Sequence, residues 1–182
     1  DNNNHSTSLA VAPKNAANFF LTAKGETYLP FVAENNKNTV AIINYFGNAD
    51  SGIEPKFLDE GLLSHFVKLH GLLLELAKFI TICDQARILA GLGGDVLVYG
   101  FSNRQVKYLL DSYQHLSKAL TETISVLNKA AKSHEDVLIR TNSSKSKAWV
   151  KNYKATQSAN KQIETDINAC SQIVERIKVE IN

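Results

Sequence analysis

Five histidines, two cysteines, a glycine-rich turn and a run of lysines are the residues of this 182-residue chain whose types and spacing bear on chemistry. His65 and His70 are five positions apart, so they do not share the helical face that a metal-binding i, i+4 pair needs. His65 falls on an apolar seam, where a histidine serves as a hydrogen-bonded core residue. His115 and His134 have no carboxylate–histidine constellation around them, and His5 lies in a polar opening segment. Cys83 follows apolar residues and has no histidine partner in sequence to activate it as a nucleophile. Gly91-Leu92-Gly93-Gly94-Asp95 has the glycine content of a phosphate loop, but a helical pattern precedes it and the Lys-Ser/Thr ending is missing. Glu75, flanked by leucines, reads as an outward-facing carboxylate. The chain therefore offers no catalytic residue, no metal site and no cofactor site, and it reads as non-enzymatic.

The lysine run is Lys145, Lys147, Lys151, Lys154 and Lys161, with Arg140 before it and no acidic residue from 140 to 161. Cations at a helix N-terminus oppose its dipole, so these side chains are candidates for contact with an anion. Most of them occupy positions away from the apolar seam, which favours a solvated outer face. Trp149 and Tyr153 fall on the seam and read as core. A net charge of +2 demands no polyanion, so nucleic acid is not an expected partner.

The elements that position these residues are helical. A hydrophobic content of 44% and a charged content of 21% are ordinary for one globular domain. The periodicity predicts three long helices, at about 55–90, 102–139 and 144–181. The first carries a seam from Leu58 through Leu62, Leu69, Leu72, Leu76 and Phe79 to Cys83, with Leu63, Phe66, Leu73 and Ile80 beside it. So wide an apolar arc marks the central helix of a bundle. Gly61 and Gly71 inside it point to close approach of a neighbouring backbone. Ser102-Asn103-Arg104-Gln105 fits a capping box for the second helix. The third has the most regular seam, from Trp149 through Tyr153, Thr156, Asn160, Ile163, Ile167, Cys170 and Val174 to Ile181. Asn160 on that seam is suited to fixing register, although a wetter end of the bundle explains it more simply.

Residues 1–13 read as a flexible tail and 14–182 as a single domain. Within the N-terminal region, Asn15 to Lys24 reads as a short helix stopped by Gly25. Thr27 to Ala33 reads as extended because of Pro30, and Asn35-Asn36-Lys37-Asn38 as a turn. Thr39 to Phe46 fits a strand or a short helix, with the helix favoured. The expected fold is all-α: an elongated up-down-up bundle of three long helices with this shorter region packed on it as a cap. In that arrangement the first and third helices are parallel, and Cys83 and Cys170 stand at about the same height on their seams. A Cys83–Cys170 disulfide and two buried thiols are then equally compatible with the counts. The absence of Met and the Asn-rich opening lean toward a processed protein that is secreted or belongs to the cell envelope.

The segment from Ile88 to Phe101 is strongly apolar, with Asp95 as its one charge. Connections between helices are usually polar, so residues such as Leu92, Val96, Leu97, Val98, Tyr99 and Phe101 need a cover, a partner or a membrane. In general layout a helical hairpin with a hydrophobic tip resembles the α-helical pore-forming toxins, over the hairpin alone. That resemblance implies a membrane-active subunit that inserts its tip. The residues themselves favour an interaction or assembly protein, with a protein partner or a second copy as the contact.

Overall fold

The computed structural model describes residues 25–46, 61–86, 88–90, 96–98, 103–133 and 144–181. They form four helices and one small hairpin: α1 (Gly25–Phe46), α2 (Leu62–Ala86), β1 (Ile88–Ala90), β2 (Val96–Val98), α3 (Asn103–Ser133) and α4 (Ser144–Ile181). The helical bundle stands, but it has four members rather than three. Each helix packs on its neighbours in the order α1–α2–α3–α4 and back to α1, so α2 and α4 lie on a diagonal.

The residue pairings give the directions. Phe46 of α1 meets Phe66 of α2, and Phe79 of α2 meets Tyr113 of α3. Tyr113 reaches Ile167 of α4, and Tyr28 of α1 reaches Asp166. Adjacent helices are therefore antiparallel. One end of the bundle holds the start of α1, the end of α2, the start of α3 and the end of α4.

The fourth helix corrects the reading of the N-terminal region. The extended segment, the turn at Asn35 to Asn38 and the segment to Phe46 are one continuous helix that includes Pro30. Proline lacks the N–H for one i→i−4 bond, and glycine, asparagine and threonine are poor helix formers. Local preference alone thus argues against α1, and packing on two neighbours overrides it. Tyr28, Val32, Ile42 and Phe46 are buried there. The helix runs alongside α2 and α4 instead of capping the bundle. The short helix expected over Asn15 to Lys24, and the tail before it, lie outside the described residues.

On α2 the wide apolar arc is real. Leu62, Phe66, Leu69, Leu72, Leu73, Leu76, Phe79 and Ile80 are all buried, because the helix packs on α1 and on α3. Gly61 precedes its first turn with φ +74°, a left-handed conformation that disfavours any side chain with a Cβ. Gly71 is different: a Cβ there would meet nothing within 4 Å, so the expected close approach does not occur. Helix α3 buries one apolar stripe from Val106 through Leu110, Leu120 and Ile124 to Ala131.

Candidate functional site

Two regions stand out: a buried polar seam between α1 and α4, and the apolar hairpin at one end. The seam is built from the middle of α1 and the seam positions of α4. Asn35 is 2% exposed and Asn160 1%, and Asn35 donates from Nδ2 to Asn160 Oδ1 at 2.9 Å. Thr39 donates to the Asn35 carbonyl at 2.9 Å. Nearer the hairpin end, Asp166 is 4% exposed and accepts from the Tyr28 hydroxyl and from Gln162 Nε2, the latter at 2.7 Å. Burial raises the Asp166 carboxyl above its usual range, and the two donors only partly oppose that. Burial also raises the phenols of Tyr28, Tyr113 and Tyr153, so each stays neutral at ordinary pH.

The seam is not fully satisfied. Asn35 Oδ1 and Thr156 Oγ1 are buried with no hydrogen-bond partner among the described residues. Among the described residues, every buried polar side chain except Thr123 belongs to α1 or α4. On its other side α1 is gripped by α2, where Asn36 Oδ1 and His70 Nδ1 lie 2.7 Å apart.

Sequence reading found Asn160 and missed its partners. Tyr28, Asn35 and Asn36 fell in stretches read as extended or turn. Asp166 had one legible signal, an acid adjoining Ile167 on a β-branched seam. His65 is hydrogen-bonded as expected, its Nδ1 2.8 Å from the Gly61 carbonyl, but it is only half-buried at the start of α2 rather than a core residue. No group of His, Cys, Asp and Glu among the described residues is arranged to hold a metal ion.

Cys170 is fully buried and is not part of a disulfide, so the bridge with Cys83 is not formed. With α1 in the ring, α2 and α4 are diagonal rather than adjacent. The Cys83 side chain lies outside the described residues. Of the candidate anion contacts, Lys151 and Lys154 are exposed on the outer face of α4. The side chains of Lys145 and Lys147 are outside the described residues, as is that of Trp149.

At the other region, β1 and β2 pair antiparallel, with Ile88 opposite Val98, Leu89 opposite Leu97 and Ala90 opposite Val96. All six residues are apolar. Among the described residues none of the four helices packs extensively against it. Large apolar side chains are also exposed near this end, Tyr108 on the second turn of α3 and Val179 on the last turn of α4, at 76% and 74%. Val96, Leu97 and Val98 are thus in β2, whereas Leu92, Tyr99 and Phe101 lie outside the described residues.

No protein-family model matches this chain, and comparison with characterised proteins and with solved structures returned no match.

Proposed function

We propose that this protein is a non-enzymatic interaction or assembly protein whose contact element is the apolar hairpin at the end of its helical bundle. The observation that carries this reading is the ladder itself: six apolar residues paired in register, with no helix packed extensively on them among the described residues. An apolar surface held at a bundle end gains free energy only when something covers it, at about 25 cal/mol per Å² removed from water. The favoured cover is a protein surface, including that of a second copy, and the favoured setting is outside the cell or in its envelope.

A second reading has its own support. All six paired residues are apolar types with no charge among them, a composition that suits lipid as well as a protein surface. No helix among the described residues is long and apolar enough to cross a membrane, so the hairpin is the inserting element in this reading. Three paired residues per strand extend about 10 Å, against about 30 Å of bilayer hydrocarbon. The ladder by itself reaches into one leaflet and does not cross.

The test replaces Leu97 and Val98 together by Asp and follows self-association by sedimentation and vesicle binding by flotation. Loss of self-association with the circular dichroism of the helices intact supports the first reading. Loss of vesicle binding alone supports the second. A wild-type protein that stays monomeric and ignores vesicles removes self-association and insertion, and leaves a different protein as the cover.

A further inference from the structure

We infer that the bundle opens along the α1–α4 seam by release of α1, and that the Tyr28–Asp166 contact is the latch that holds it shut. The inference does not depend on what the hairpin contacts.

Chain connectivity supplies the first reason. Neighbours α1 and α2, α2 and α3, and α3 and α4 are each consecutive in sequence. The α1–α4 contact alone closes the ring without a direct connection, joining Tyr28 to Asp166 and Asn35 to Asn160 across separations of 138 and 125 residues. The second reason is burial. Among the described side chains, the two helices of this seam contribute few buried apolar residues, four on α1 and five on α4, against eight on α2 and ten on α3. The middle turns of α1 bury Asn35 and Thr39 instead. Regions with few buried apolar contacts open at lower free energy than the core. The third is local preference. With Gly25, Pro30, Asn35, Asn36, Asn38 and Thr39 along its length, α1 has little tendency to remain helical once detached. Release would uncover Phe66 and Leu73 of α2, which now face α1.

The latch responds to protons. Asp166 is faced by Tyr28 from α1 and lies between Gln162 and Cys170 on α4, and Tyr113 from α3 binds the adjacent Ile167 carbonyl at 2.6 Å. No charged side chain among the described residues is close enough to pair with it. Burial raises its pKa in the closed bundle. The closed state therefore binds the proton more tightly than an open state in which Asp166 meets water. Stability of the seam is fully present below the ordinary carboxylate pKa and is lost as pH rises through the raised one.

Hydrogen exchange of the full chain, read by mass spectrometry at about pH 5 and about pH 7.5 and corrected for intrinsic amide rates, tests this. Peptides within 25–46 should exchange at least about tenfold faster than peptides within 106–131 at the higher pH, with a smaller ratio at the lower. Asp166→Asn keeps an acceptor for Tyr28 and should slow α1 exchange at the higher pH and abolish the pH dependence. Tyr28→Phe, which removes the latch donor and keeps the ring, should speed α1 exchange without affecting α3. Equal protection of α1 and α3, faster exchange in α4 than in α1, or a pH dependence unchanged by Asp166→Asn would each overturn the inference.

Discussion

Asn35 and Asn160 face one another across α1 and α4 with a 2.9 Å hydrogen bond, at a depth where each is almost wholly shielded from water. An amide pair at this depth selects one alignment of the two helices. Any slip leaves both carboxamides buried without partners, and a buried unpaired polar group costs about 1–3 kcal/mol.

That pair gives a double-mutant prediction. Asn160→Leu alone strands the Asn35 amide and should lower stability by about 2 kcal/mol. Adding Asn35→Leu should recover most of the loss, because two apolar side chains replace two desolvated amides. Urea denaturation of the four proteins measures the coupling. Additive losses would show that the amides do not act as a pair.

The two glycines of the α2 region should respond with opposite signs. Gly61→Ala forces a Cβ into a left-handed backbone conformation at φ +74° and should destabilise by about 1 kcal/mol. Gly71→Ala adds a methyl group into open space within the helix and should stabilise by up to about 1 kcal/mol. Thermal melts of the two variants should therefore move apart on either side of the wild type.

Cys170 should be silent in the native protein. It is fully buried and not bridged, so a thiol reagent should reach it only on unfolding. Mass analysis after alkylation should show at least one more label in denaturant than under native conditions, with no bridged species in either. A reducible Cys83–Cys170 bridge in the freshly isolated chain would contradict the unbridged state of Cys170.

How much of this was legible differs by element. Helices α2, α3 and α4 announce themselves through apolar residues at alternating spacings of four and three, and Ser144–Ile181 matches the expected span closely. The capping chemistry at Ser102 placed the start of α3 to within a residue. The apolar turn was visible as composition, but its pairing was not, since three-residue strands carry too little pattern to register. Helix α1 was not legible as a whole. Pro30 and the three asparagines are strong local signals for extension and turn, and they were read as such. The partners of Asn160 and Asp166 were hidden for the same reason, and so was the diagonal placement of α2 and α4.

The sequence by itself determined a mainly helical chain with three long amphipathic helices, an apolar connection between the first two of them, and a polar residue at the centre of the last seam. Those properties follow from periodicity and from local capping and turn chemistry, which act over a few residues. Tertiary structure alone decided that Gly25–Phe46 is a helix, that the bundle closes as a ring of four, and that Tyr28 meets Asp166 and Asn35 meets Asn160. The physical reason is that α1 has little local preference of its own. It is helical because α2 and α4 bury its Tyr28, Val32, Ile42 and Phe46 and hold its Asn35 and Asn36 by hydrogen bonds, and no local window of the sequence contains those partners.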